Sequence, residues 1–197
     1  DPQRASLIYP DEPAFLTGNR MVFHSSTGPA VCRFDEGCRI EPLFEDRWPR
    51  HIRVAPDGTA VFAVPRRREP EDRLKIERWD AGSGRMETVF EADGCLAGTN
   101  VPLTRFNLAT VSSDGRRLAG SAWLGDGQHA DAPFGVIVID LTSGQARVVA
   151  EDRDFNNPHL QYCRSREPEA SHDLLVQMNH GCHSDAAGKI LCALGPP

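Results

Sequence analysis

The sequence APDGTAVFAV at residues 55–64 places a tight-turn dipeptide, Asp57-Gly58, directly before an apolar run of strand length. The same pattern recurs in SSDGRRLAGS at residues 112–121, where Asp114-Gly115 precedes a second such run. Asp-Gly between two extended runs is typical of a β-hairpin, because Gly adopts the positive φ that the tight turn requires. Each segment therefore predicts a strand, a tight turn and a second strand.

A second turn pattern joins two further strands in each repeat. It reads FDEG at residues 34–37, WDAGSG at residues 79–84 and IDLTSG at residues 139–144. The strands that follow it are also related: EPLFED at 41–46, ETVFEAD at 87–93 and ARVVAED at 146–152. Four strands in a repeat of about 45 to 60 residues, with turns at fixed offsets, are typical of a β-propeller blade. We therefore predict an all-β protein with antiparallel, four-stranded blades.

The repeats place blades at approximately residues 1–46, 47–98, 99–154 and 155–197. The first is incomplete or divergent, and the last is only begun. Because closed propellers have about four to eight blades, we expect residues 1–197 to form one incomplete domain of a larger propeller. The remaining propeller blades of the parent chain would then be partners of this domain. No segment carries a long helical period, so helix should be scarce.

Composition and charge exclude several classes of protein. The chain is 40% hydrophobic and 25% charged, which is typical of a folded domain. A net charge of −6 gives no general attraction to nucleic acid. The longest apolar run, residues 135–139, is far shorter than the roughly 20 residues that cross a bilayer. We expect no nucleic-acid partner, no membrane partner and a cytoplasmic location, with the periplasm as the alternative.

The six cysteines contain no pair of CxxC motifs, which argues against a structural zinc site. Cys32 and Cys38 either bridge across a hairpin in an oxidising compartment or remain free thiols. Among the 22 basic residues only Lys75 and Lys189 are lysines. This bias reflects either a GC-rich genome or the use of guanidinium groups to bind carboxylates.

The strand before each Asp-Gly turn should be the innermost strand of its blade and line a central channel. Counting back from the aligned turns superposes His51 on Leu108 and on His159. Side chains alternate between the two faces of a strand, so His51 should share a face with Arg53, and His159 with Gln161. Two blades would then present a histidine and a second polar group at the same height in the channel.

A family resemblance appears in NPHLQYC at residues 157–163 and DLLVQMNHG at residues 173–181. These segments resemble a blade of the oligogalacturonate lyases, in which a His-x-Gln-aromatic strand is followed by an apolar strand ending in His-Glu-Gly or a similar step. Gly181 stands where the lyases tend to have Glu. The lyase resemblance covers residues 155–181, and a wider similarity to TolB-like repeat proteins covers residues 20–181. It implies a seven-bladed propeller that cleaves short galacturonides by β-elimination with a divalent metal, typically manganese.

The resemblance implies that His159, His180 and Gln161 hold the metal, with the family's further His-rich segment in later blades. Imidazole and amide oxygen ligands suit a borderline to hard divalent ion such as Mn²⁺. Each histidine also has a purely structural interpretation. His180 and His183 could instead lie exposed in a turn, and we expect His24 to be a surface residue.

The substrate implied by the resemblance is an acidic oligosaccharide. Arg53 and Arg105 would be the catalytic residues, contacting a uronate carboxylate or acting as an unusual base. Arg50 and His51 would bind substrate, and Trp123 would stack on a sugar ring. Two alternatives remain: a non-catalytic TolB-like propeller that binds a protein or glycan, and a propeller that gates a larger peptidase.

Overall fold

The computed structural model describes residues 6–7, 13–44, 49–66, 73–155, 158–177 and 182–192. Within these ranges the regular secondary structure is antiparallel strand, apart from a single-turn 3-10 helix at Leu103–Arg105. The all-β prediction is confirmed. The described residues contain no helix long and apolar enough to cross a membrane.

The strands form successive sheets, which we number as blades. Blade 1 contains β1 (Ser6–Leu7), β2 (Phe15–Leu16), β3 (Arg20–Ser25), β4 (Gly28–Arg33) and β5 (Arg39–Pro42), in the order β1-β3-β4-β5 with β2 also paired to β3. Blade 2 is the meander β6 (Pro49–Val54), β7 (Ala60–Pro65), β8 (Arg73–Asp80) and β9 (Met86–Asp93). Blade 3 is the meander β10 (Asn107–Val111), β11 (Arg117–Trp123), β12 (Phe134–Asp140) and β13 (Gln145–Asp152).

The remaining strands form two smaller sheets. Blade 4 is the pair β14 (His159–Tyr162) and β15 (Leu174–Gln177). A separate hairpin, which we call the 182–192 hairpin, pairs β16 (Cys182–Ser184) with β17 (Ile190–Cys192).

The Asp-Gly turns form for the reason that the sequence suggests. Gly58 and Gly115 have φ values of 70° and 69°, in the left-handed region that glycine tolerates. The Asp57 carboxylate accepts hydrogen bonds from the Thr59 backbone N–H at 2.9 Å and hydroxyl at 2.8 Å. The Asp114 carboxylate likewise accepts the Arg116 N–H at 3.0 Å. Both turns therefore close a hairpin between the first and second strands of a blade.

The blades pack face to face, because their central strands are apolar on both sides. In β7, Phe62 belongs to the core shared with blade 3, whereas Val61 belongs to the core shared with blade 1. In β12, Ile137 faces blade 2 and Val136 faces blade 4. A continuous apolar run is what a strand buried on both faces requires. Successive blades therefore share cores, as expected of a propeller.

The first strands of blades 2, 3 and 4 lie side by side, with β10 between β6 and β14. Strand β10 contains a β-bulge between Leu108 and Thr110. Counting ladder pairs from the Asp-Gly turns, the bulge makes Asn107 the equivalent of His51 and His159. The sequence alignment of Leu108 with His51 is therefore wrong by one residue, since a bulge adds one residue to the strand.

The cysteines divide into two groups. Cys32 is a buried free thiol and Cys38 an exposed one, so the predicted alternative of a bridge between them is not formed. Cys182 is disulfide-bonded. A paired cysteine in this region was not predicted from the sequence.

Gly120 in β11 provides a test of the bulge. A Cβ at this position would overlap the carbonyl oxygen of Asn107 and lie 2.6 Å from the Phe106 ring. Gly120→Ala should therefore lower the free energy of unfolding in urea by about 1–3 kcal/mol, the usual cost of overpacking. Gly82→Ala is the matched control, because its Cβ would meet nothing closer than the Asp80 carboxylate at 3.4 Å. Equal stability of the two variants would contradict the close approach.

Candidate functional site

His51, Asn107 and His159 occupy the same register position near the start of three adjacent inner strands. Because the first two strands of each blade are antiparallel, the second strands end where the first strands start. We call this end of the molecule the channel end. The side chain of His51 is hydrogen-bonded to that of Asn107. The channel end therefore begins with a polar contact between blades 2 and 3.

The imidazole of His51 is held in its neutral form. Burial and the nearby positive charges of Arg50 and Arg53 lower the pKa of His51 to about 4, although the bond to Asn107 favours the charged form. Its Nε2 atom is buried and has no hydrogen-bond partner among the described residues. His51 thus offers a neutral ring nitrogen beside two cationic groups.

Arg50 and Arg53 join blade 2 to blade 3. Arg50 donates hydrogen bonds to the backbone carbonyls of Thr104, at 3.3 Å, and Phe106. Arg53 donates to the carbonyl of Ala109. The sequence assigned these residues to substrate carboxylates; the structure shows that each also bonds the neighbouring blade. Their charges nevertheless remain at the channel end, where they act on His51.

Arg105 and Trp123 form a second contact at the same end. Arg105 donates to the carbonyls of Gly125 at 2.7 Å and Trp123 at 3.4 Å, and its guanidinium lies 5.0 Å from the Trp123 ring centroid. A Cβ at Gly125 would overlap that ring, and one at Gly188 would lie 2.7 Å from it. Protein groups therefore pack closely against part of the Trp123 ring, and its stacking on a sugar stays a prediction.

His24 is a further residue of this region that the sequence did not reveal. It was expected at the surface, but it is half-buried near the end of β3. Burial and then the charge of Arg53 lower the pKa of His24. The ladder partner of His24 is Ser6 in β1, so this end of β3 pairs with the innermost strand of blade 1. The sequence signal that could have placed His24 in this region was its position at the end of a second strand.

The described residues supply only part of a metal site. In β14, Leu160 and Tyr162 are buried while His159 and Gln161 are half-buried, so the latter two share the other face. His180 lies outside the described residues. Among the residues that are described, no group of three or more His, Cys, Asp or Glu side chains is placed to hold a metal ion. The proposed ligands therefore do not form a complete set within this part of the chain.

Comparison with known proteins identifies the fold. An oligogalacturonate lyase in complex with manganese superposes with a TM-score of 0.61 at 13% identity, over 96% of this chain and 53% of that one. The oligogalacturonate lyase from Vibrio parahaemolyticus gives 0.61 at 13% identity, over 97% and 53%. A TolB-like protein from Agrobacterium tumefaciens gives 0.51 at 13% identity, over 90% and 59%.

No protein-family model matches the sequence, and no curated protein matches it. The chain spans about half the length of the two lyases. At 13% identity the superpositions show the fold, and the prediction of an all-β fold of the β-propeller type is confirmed. The resemblance to lyases and TolB-like proteins noted in the sequence is thus seen in the structure, at the level of the fold.

The charge state of His51 generates a pH prediction. Because the folded-state pKa of about 4 lies below the usual 6.5, the unfolded chain binds the proton more readily. The free energy of unfolding should fall as the pH decreases from about 6.5 to 4. His51→Gln should remove that part of the pH dependence, as measured by urea unfolding at a series of pH values. His183→Gln, at an exposed position, is the control.

An NMR titration gives an independent readout of the same group. The His51 ring signals should shift with a midpoint near pH 4. A midpoint close to 6.5 would show that neither burial nor the two arginines act on the imidazole as described.

Proposed function

We propose that this chain contributes to a propeller that binds uronide oligosaccharides at the channel end and cleaves them by β-elimination. The observation that carries the proposal is the alignment of His51, Asn107 and His159 at one level of three inner strands, beside the cationic Arg53. Two of the structurally similar proteins are oligogalacturonate lyases, which also supports this proposal.

The charges at the channel end favour an acidic sugar. Arg53 is half-buried, and attraction of its charge to a carboxylate is therefore stronger than in water; the exposed Arg50 adds a second positive charge. Their bonds to backbone carbonyls fix the guanidinium groups in place, so little conformational entropy is lost when an anion binds. We therefore assign Arg53 to the uronate carboxylate. Arg105 lies between Thr104 and Phe106, whose carbonyls bind Arg50, and so supports the position of Arg50.

Elimination requires a base that removes the C5 proton and a group that protonates the leaving oxygen at C4. A guanidinium has donors but no acceptor, which makes it a poor base in its usual charged form. The neutral imidazole of His51 has a ring nitrogen without a partner among the described groups. A bound carboxylate would offset the charges of Arg50 and Arg53 and so raise the pKa of His51. His51 is thus our candidate base, in place of Arg53 and Arg105.

A divalent metal, with Mn²⁺ as the first choice, is part of this proposal. His159 and Gln161 are the donors that the described chain would contribute, and His180 is proposed from the sequence alone. When bound, such an ion would act as a Lewis acid on the uronate carboxylate. The ligand set is incomplete within the described residues, so the steps assigned to His51 and Arg53 rest on protein groups.

The activity test uses the whole protein that contains this chain, incubated with digalacturonate and Mn²⁺. Formation of an unsaturated uronide should appear as rising ultraviolet absorbance. His51→Ala should lower kcat/KM by about 100-fold, the scale of a lost acid–base group. His159→Ala should also lower kcat/KM, because it removes a proposed metal donor. His129→Ala is the control, because its side chain is 82% exposed in a loop. A flat trace with both metal-free and metal-loaded protein would remove the lyase proposal.

A non-catalytic propeller that binds a protein or glycan is the second candidate. The hydrogen bonds of Arg50 and Arg53 to backbone carbonyls of blade 3 favour it, because such bonds hold blades together without any reaction. It predicts that no metal remains after dialysis, as measured by elemental analysis. It also predicts that His159→Ala leaves oligogalacturonide binding unchanged in calorimetry, whereas a lyase with a metal at His159 would lose affinity.

A further inference from the structure

We infer that the face of blade 1 turned away from blade 2 is a docking surface for the apolar face of one more blade, supplied from outside residues 1–197. We call this surface the outer face of blade 1. It consists of two rows of ladder partners on strands β2 to β5, and every side chain in them is apolar. The first row is Phe15, Met21, Cys32 and Ile40, and the second is Phe23, Ala30 and Pro42.

Blade 1 carries apolar side chains on both faces, as the blades with two neighbours do. In β4, Val31 belongs to the core shared with blade 2, whereas Ala30 and Cys32 form a second cluster with Phe23. Among the described residues, the second cluster has no member in common with the core between blades 1 and 2. In β7 and β12 the same alternation accompanies a neighbouring blade on each side. Strand β4 therefore has the composition of a strand buried between two blades.

The large side chains at the two ends of the first row are exposed to solvent. Phe15 in β2 is 63% exposed and Ile40 in β5 is 59% exposed, while Cys32 between them is buried. A single exposed apolar side chain is common on protein surfaces, but exposed side chains that border an apolar cluster form a patch, and such patches mark interaction surfaces. Covering them would remove apolar surface from water, which is favourable.

The occupant that fits this surface is the face of another sheet. Two sheets pack face to face about 10 Å apart, with the side chains of the two faces interdigitating. Blades 1 to 4 already share cores in this way, so a further blade on the outer face would continue an arrangement that the described chain repeats three times. The superposed lyases are about twice as long as the part that this chain covers, which leaves room in such a fold for further blades.

The other end of the chain argues against a second copy as the occupant. The face of blade 4 turned away from blade 3 carries His159, Gln161 and Gln177, together with Leu175. Two copies joined head to tail would bury these polar groups against the apolar outer face of blade 1, which is costly for a polar group that loses its hydrogen bonds to water. The docking face should therefore be more apolar than that of blade 4. This inference concerns the fold and holds whether or not the protein is a lyase.

The test measures how fast a thiol on the outer face reacts with a maleimide in the whole protein that contains this chain. The variant is Ile40→Cys, and the modification is followed at that site by mass spectrometry. Val149→Cys is the matched control, because Val149 lies at the bulge of β13 between the paired Val148 and Ala150 and is 44% exposed. Without a cover, Ile40→Cys should react at least as fast as the control. A docked blade should slow it by about tenfold or more, because the thiol then reacts only when the interface opens.

A second variant, Phe15→Cys, tests the opposite end of the same row and should be protected to a similar extent. Protection of both thiols that is unchanged when the protein is diluted would support a blade from the same chain. Reaction of either thiol as fast as that of Val149→Cys would overturn the inference. Protection that disappears on dilution would also overturn it, because it would identify a second copy as the cover.

Discussion

Backbone carbonyl groups where blade 2 meets blade 3 need hydrogen-bond donors, and arginine side chains supply them. Arg50 binds the carbonyls of Thr104 and Phe106, and Arg53 binds that of Ala109. A buried carbonyl left without a partner costs about 1–3 kcal/mol. A guanidinium is suited to this task because its five N–H donors reach several acceptors from one rigid plane. The same bonds concentrate positive charge at the channel end, which adds to the effect of burial in lowering the pKa of His51.

The architecture could be predicted from the sequence because it depends on local signals. The Asp-Gly turns mark the first hairpin of each of two blades, and uninterrupted apolar runs such as residues 60–64 mark strands buried on both faces. The register of β10 was missed, because a bulge depends on how two strands pair. Gly120 was the available signal, since a glycine within a strand often marks a bulge or a close backbone approach.

The candidate site was only partly predictable. Alternation along a strand placed His51 with Arg53 and His159 with Gln161, and the burial of β6 and β14 follows that alternation. The hydrogen bonds of Arg50 to the neighbouring blade could not be predicted from the sequence, because Arg50 and Phe106 are 56 positions apart in the chain. The packing of Trp123 depends on Gly188, a residue of a different sheet. Contacts of this kind follow from tertiary packing and leave no periodic pattern in the sequence.

The bulge in β10 limits what can be done with the repeats as interchangeable units. A consensus blade obtained by averaging blades 2 and 3 position by position would mix channel-facing residues of one with core-facing residues of the other before the Asp-Gly turn. A chimera that exchanges these inner strands would need to gain or lose one residue near Ala109 to keep its polar side chains in the channel. The two repeats therefore share a turn pattern but differ by one residue in the spacing of their first strands.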